Sequence, residues 1–261
     1  MLIGIRDKCI KSGTLEERMT ALKDLGCDFT ELVVDPAMLD ELIGDPNPGP
    51  YAPKPALRAL NRTVSKTGLP ILSVSFGDMY MYSTKDDAGR EATRRGLRKS
   101  VDLANRMGAG TVLAAVCEKN ADFREMALMY RAELREILDF ALSRNVRVCF
   151  EPVAGFNTES TALLVRCIHH PAAFLYFDMG NCLHFGENLI TRLNECADIT
   201  GALHIKPGPG MDLDEMPLCG ILNLLYCHGF GGIGVIEMEA GEGNKTLTHV
   251  LDLLDRLGYR S

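Results

Sequence analysis

The sequence predicts a single (β/α)8 barrel, a TIM barrel, and three observations predict it. Eight short apolar runs of β-branched or aromatic character recur along the chain, and amphipathic helical stretches alternate with them. A length of 261 residues is normal for one such barrel. A doubly wound open sheet is the alternative. It fits less well, because the first strand-to-helix turn, "RDKCIKSGT" (6–14), holds no G-x-G-x-x-G phosphate loop.

The first strand is "LIGIR" (2–6). In the helix that follows, 14–26, Leu15, Met19, Leu22 and Leu25 repeat at helical spacing. Thr14 with Glu17 supplies a capping box, and Gly26 a stop. The second strand is "FTELVVD" (29–35). Beyond it lies "GDPNPGPYAPKP" (44–55), too rich in proline for helix or central strand. This segment is expected as a loop near the barrel mouth, where barrel active sites lie, with a plain surface linker as the alternative.

The third and fourth strands, "PILSVSF" (70–76) and "TVLAAV" (111–116), could each also belong to buried helices. Helix 86–107 separates them, and helix 121–144 leads to the fifth strand, "RVCFEP" (147–152). Helix 158–170, strand "FLYFDM" (174–179), helix 187–197, strand "GALHIK" (201–206), helix 215–228, strand "GVIEME" (234–239) and helix 243–257 complete the pattern. A second domain is not expected: residues 1–261 read as one.

Hydrophobic residues make up 46% of the chain and charged residues 24%, the balance of a soluble globular protein. No run approaches the ~20 apolar residues of a membrane span, and the start lacks a signal-peptide pattern, so a cytoplasmic protein is expected. The nine cysteines are scattered without a C-x-x-C pair and read as small buried hydrophobes of a reducing compartment. A formal net charge of −7 without a basic cluster argues against a surface for nucleic-acid phosphates.

The chemistry gathers at the ends of the last four strands, where barrel enzymes keep their active sites. Glu151, Asp178, His204 and Glu237 each bring a metal-competent side chain to that edge. The first four strands end in a looser set: Arg6, Asp35, Phe76 and Cys117. A buried strand that closes on a bare carboxylate, as "FLYFDMGNCLHFGE" (174–187) does at Asp178, is costly unless a positive charge meets it. A divalent cation answers that need. Three carboxylates and one imidazole suit Mn2+ first, then Mg2+ or Co2+, better than a structural zinc, which favours thiolates.

This order of residues resembles the xylose-isomerase-like TIM barrels, whose epimerase branch places a Glu on strand five, an Asp on six, a His on seven and a Glu on eight. The resemblance covers essentially the whole chain and includes the turn "GFGGIG" (229–234) before the last strand. It implies one divalent metal held by Glu151, Asp178, His204 and Glu237, with Glu151 and Glu237 as the acid/base pair on either side of a ketose. The implied reaction is sugar isomerisation or epimerisation, by proton abstraction next to a carbonyl and a metal-bound enediolate. It also implies a small sugar-like substrate and a homo-oligomer.

The sequence departs from that pattern in places. Asn181 stands where the epimerases have a substrate-binding His, and an amide can bind a hydroxyl without shuttling a proton. Gly210 stands where they place an Arg, six residues after the metal His. Substrate identity is therefore not carried over.

Lys206, Asn181, Asn157 and His184 are candidate substrate contacts. Lys206 shares its strand face with His204, Asn157 fits equally as the N-cap of helix 158–170, and His184 reads also as a surface residue. Glu239 is the alternative ligand to Glu237. Glu31 reads as an inward carboxylate paired with a cation such as Arg147. The Gly-rich 229–234 turn enters a strand rather than a helix, which disfavours a phosphate cradle.

Two other chemistries stay open: a sugar or cyclitol dehydratase using the same metal and base, and a barrel that has lost turnover and binds a metabolite. The nuclease branch of the family is excluded. It needs histidines on early strands, whereas all six here fall at or after position 169.

Overall fold

Eight short strands, buried along nearly their whole length, pair in parallel and in chain order to close a barrel in the computed structural model. The residues described are 1–11, 13–44, 54–81, 86–116, 123–153, 155–238 and 243–259. The strands are β1 (Ile3–Arg6), β2 (Phe29–Val33), β3 (Ile71–Phe76), β4 (Thr111–Val116), β5 (Arg147–Pro152), β6 (Ala173–Asp178), β7 (Thr200–Ile205) and β8 (Ile233–Ile236). The third and fourth apolar runs are thus strands, not buried helices. All eight predicted strands form, most within a residue or two of the predicted bounds.

The helices among the described residues are α1 (Leu15–Asp24), α2 (Pro36–Leu42), α3 (Pro55–Thr67), α4 (Asp87–Met107), α5 (Phe123–Glu133), α6 (Arg135–Ser143), α7 (Thr158–Ile168), α8 (Met179–His184), α9 (Leu189–Cys196), α10 (Leu218–Cys227) and α11 (Gly243–Arg256). The Thr14–Glu17 capping box starts α1 as predicted. Three helices were not expected. Asp35 does not extend β2 but caps α2, accepting from the Met38 N–H, with Pro36 at the first helical position. Pro55 likewise opens α3, so the proline-rich segment ends earlier than predicted. Residues 45–53 of it lie outside the described residues. The third, α8, starts at Met179, the expected last residue of the sixth strand. The single helix predicted over 121–144 is two, broken at Leu134.

Burial follows the two-residue alternation of the strands. Val112, Ala114 and Val116 face the helices and join the large outer core. Leu113 and Ala115 face inward and meet Cys149, Tyr176 and Ala202 in a small core inside the barrel. Above that plug the inward positions turn polar. Two register irregularities interrupt the ladders, between Thr30 and Glu31 on β2 and between Leu175 and Tyr176 on β6.

Of the described cysteines, Cys9, Cys27, Cys149, Cys182 and Cys196 are buried, as expected; Cys219 and Cys227, on α10, are exposed. No helix among the described residues is long and apolar enough to cross a membrane.

Candidate metal centre

Glu151 at the end of β5, Asp178 at the end of β6, His204 on β7 and Glu237 just past β8 converge on one point. One ligand atom from each lies within 4.8 Å of all the others. Asp178 and His204 are fully buried and Glu151 is 5% exposed, so the cage is closed off except near Glu237. His204 Nδ1 faces all three carboxylates, 2.7 Å from Glu151 Oε1, 2.9 Å from Glu237 Oε2 and 3.3 Å from Asp178 Oδ2. One imidazole nitrogen ringed by three carboxylate oxygens is a donor set that suits a cation.

Asp178 divides its two oxygens. Oδ1 accepts the Asn181 N–H at 2.7 Å and caps α8, while Oδ2 faces the cage, 2.9 Å from Lys206 Nζ. This is why a buried strand ends on an acid and leads directly into a helix. A Cβ on Gly180 would lie 2.6 Å from the Pro207 carbonyl oxygen, so only glycine lets α8 approach the chain beyond β7 this closely.

Glu31 is a fourth carboxylate, on β2 and fully buried. It meets His204 from the opposite side, Oε1 to Nε2, at 3.1 Å. Arg6, on β1, ion-pairs with Glu237 and hydrogen-bonds Ser75 at 3.0 Å, with its Nε 3.6 Å from Glu31. The expected Glu31–Arg147 pair does not form. Arg147 lies at the other end of the barrel, against the Phe174 ring and the Gly231 carbonyl. The Gly-rich turn sits there too, where a Cβ on Gly232 would strike the Gly201 carbonyl.

Charge balance tests whether a divalent ion fits. In the protonation states that ligation requires, with His204 neutral and the carboxyls ionised, Glu31, Glu151, Asp178 and Glu237 face two permanent cations, Arg6 and Lys206. The two negative charges left over match a divalent ion in an oxygen-rich, one-nitrogen donor set.

The carboxyls of this site differ sharply. Burial pushes Glu151 up to about 7. Burial also opposes charge on Glu237, but His204, Arg6 and Lys206 outweigh it and hold that carboxyl well below the usual range. Asp178 stays low against the same burial penalty through His204 and Lys206, and Glu31 through His204, Arg6 and Ser73. His204, which burial alone would lower, is raised well above its ordinary value by Tyr176 and the carboxylates around it.

The other predicted residues divide. Lys206, Asn181 and His184 line a cavity of about 450 Å³ beside Glu237, with Gly208 and Met238 on its wall. The Asn181 amide donates to the Pro152 carbonyl at 2.8 Å. Asn157 is the N-cap of α7, accepting from the Ser160 N–H at 2.9 Å. Gly210, where an Arg was the family expectation, has φ +68° and open space around it. Glu239 and Cys117 lie outside the described residues.

Sequence reasoning gave Arg6 no more than a strand end, missed Tyr176 and set Glu31 against the wrong cation. The available signal was the pair of serines at two-residue spacing inside apolar β3, Ser73 and Ser75, which meet Glu31 and Arg6.

The chain matches the family model described as xylose isomerase-like TIM barrel over residues 19–261. It is 26% identical, over 252 residues, to L-ribulose-5-phosphate 3-epimerase UlaE of Salmonella heidelberg (strain SL476), covering 90% of this chain and 86% of that protein. The fold also superposes on D-psicose 3-epimerase with D-tagatose from Clostridium cellulolyticum H10, at TM-score 0.77 and 15% identity, over 99% of both chains. A second solved structure, the IOLI protein with a binding zinc atom, matches at TM-score 0.73 and 16% identity over the full length of both chains.

Proposed function

The chain belongs to the xylose isomerase-like TIM barrel family, and on that premise we propose that it is a divalent-metal-dependent sugar epimerase inverting the carbon beside a ketose carbonyl. The convergence of Glu151, Asp178, His204 and Glu237 on one point, with two of its carboxylates arriving from β5 and β8, carries this reading. The names of the similar proteins, 3-epimerases of a ketose phosphate and of a free ketose, favour epimerisation over isomerisation or dehydration.

Glu151, Asp178, His204 and Glu237 would hold the ion, for which Mn2+ is the first choice and Mg2+ or Co2+ the alternatives. When bound, it supplies the Lewis acidity that makes the hydrogen next to the ketose carbonyl removable. Inversion needs two proton-handling groups on opposite faces of one carbon, and strands β5 and β8 provide them from separate sides of the mouth.

Glu237, kept ionised by Arg6 and Lys206, removes the proton. Glu151, across the site on β5, returns one to the other face. The reverse reaction exchanges the two roles. Lys206 stands ready to hydrogen-bond oxygen that becomes negative during the reaction, and Asn181 and His184 contact the hydroxyls of the sugar from the cavity wall.

Mn2+-loaded protein incubated with a panel of ketoses and ketose phosphates in deuterated water tests the reading. One substrate should gain deuterium at the inverted carbon, and Glu237→Gln and Glu151→Gln should each slow the exchange roughly 10²–10⁴-fold. A deoxy product would indicate dehydration instead. Tight Mn2+ binding with no exchange from any ketose would sink the epimerase reading.

A further inference from the structure

A second, fully buried polar cluster ties β2 and β3, on the half of the barrel without ligands, to the cage. Glu31 Oε2 accepts the Ser73 hydroxyl at 2.7 Å and the Tyr176 hydroxyl at 2.9 Å, leaving Oε1 for His204 Nε2. Glu31, Ser73, Tyr176 and His204 are all 0% exposed. The Tyr176 ring also packs on the imidazole, with centroids 4.3 Å apart. The imidazole is thus held at its edge by a carboxylate and on its face by the ring whose hydroxyl steadies that carboxylate.

Both register irregularities reported among the strand pairs fall at this cluster. One shifts β2 against β3 at Thr30/Glu31, so that Glu31 pairs with Ser73. The other shifts β6 against β7 at Leu175/Tyr176, placing Tyr176 beside Ala202. Such irregularities re-aim single side chains, and they recur next to functional sites. Here two of them, four strands apart, turn Glu31 and Tyr176 toward each other across the inside of the barrel.

We propose that Glu31 is a positioning residue: anchored by Ser73 and Tyr176, it holds the Nε2 proton of His204 and so presents the Nδ1 lone pair to the divalent ion. Once the imidazole is neutral, as ligation requires, the chemistry leaves one choice. An ionised carboxylate only accepts, so Nε2 must donate to it, and a neutral imidazole then has its lone pair on Nδ1. That is the nitrogen facing Glu151, Asp178 and Glu237. Partners of this kind fix ring orientation and raise the basicity of the ligating nitrogen. Arg6, 3.6 Å from Glu31, balances its charge.

The inference rests on the metal reading of the cage, and its test separates the two. Mn2+ affinity is measured by titration calorimetry on wild type, Glu31→Gln and Tyr176→Phe. The ring nitrogens of His204 are followed by 15N NMR in histidine-labelled protein loaded with Zn2+ as a diamagnetic probe. A glutamine has one acceptor oxygen for three donors, so it cannot keep all the contacts of Glu31.

Glu31→Gln should weaken Mn2+ binding roughly 10–100-fold. It should also move the His204 nitrogens away from the pattern of a protonated Nε2 and metallated Nδ1. Tyr176→Phe, which leaves the carboxylate in place, should weaken binding less, in the same direction. Wild-type affinity and an unchanged 15N pattern in Glu31→Gln would overturn the inference while leaving the metal reading intact. Failure of the wild type to take up Mn2+ would overturn both. Should Glu31→Gln fail to fold, unchanged affinity and 15N pattern in Tyr176→Phe would overturn it.

Discussion

The two halves of the barrel mouth use similar side chains for different work. The half from β5 to β8 points Glu151, Asp178, His204 and Glu237 at one another, with oxygens and a nitrogen left facing a common point. The half from β1 to β3 offers Arg6, Glu31, Ser73 and Ser75, and each of these is spent on a neighbour: Arg6 on Glu237 and Ser75, Ser73 on Glu31, Glu31 on His204. The difference is one of satisfaction. A carboxylate whose acceptors are filled by hydroxyls and an imidazole, as in Glu31, has nothing left for an ion, whereas the three carboxylates around His204 Nδ1 turn an oxygen each to one shared point that an ion would fit. Composition alone does not separate a candidate ligand from its support; convergence on one point does.

The largest effect that could break this division comes from the ligating half. His204→Ala should weaken Mn2+ binding by more than the roughly 100-fold expected when an orienting partner is lost, as calorimetry would show. Equal losses in the two halves would erase the distinction.

The pH dependence sharpens the same point. Burial raises the Glu151 carboxyl to about 7, and a protonated carboxyl is a poor ligand. Mn2+ binding should therefore strengthen as pH rises through 7, releasing a proton below it. Titrations in buffers of different ionisation enthalpy would detect that proton. In the cation-free protein the sign reverses for folding. A carboxyl raised above its ordinary 4.5 contributes stability at low pH that is lost as pH climbs toward 7, and Glu151→Gln should remove that contribution.

A smaller effect is expected at Arg6. Beside the imidazole of His204, this guanidinium helps keep Glu237 ionised against its burial. Arg6→Met should retain Mn2+ binding, because Arg6 is no ligand. It should move the acid limb of the kcat/KM profile to higher pH, since Glu237 would then lose its proton later in the titration. An unmoved limb would mean that His204 and Lys206 suffice.

The barrel was legible because strands buried on both faces and amphipathic helices leave different periodicities, and eight repeats of the pair admit few architectures. The ligating half was legible for a related reason: an acid or His closing an apolar run is expensive, so it stands out. The orienting half was not. Glu31 was seen, but its partner depends on which strands face each other across the barrel interior, and Arg147 and Arg6 enter from opposite ends. Tyr176 looked like core because its ring is core; only its hydroxyl does polar work. Helices α2 and α3 were hidden by the prolines at their first positions, which begin a helix as readily as they exclude one.

The smallest effect tests where the ligating half stops. Asn157 follows β5 closely enough to be a substrate contact, yet its side-chain oxygen accepts the Ser160 N–H and caps α7. Glu187 shares the task, accepting from the N–H groups of Thr158 and Glu159 at 3.0 and 3.2 Å. With the cap as its main role, Asn157→Ala should cost about 1 kcal/mol, a melting shift of roughly 2–4 °C, and leave KM unchanged. Asn157→Asp, which caps equally well, should restore the melting temperature. A raised KM with an unchanged melting temperature would reverse the assignment. The ligating half would then extend beyond the strand ends into the loop after β5, and the contrast between the two halves would have to be redrawn around the sugar rather than around the ion.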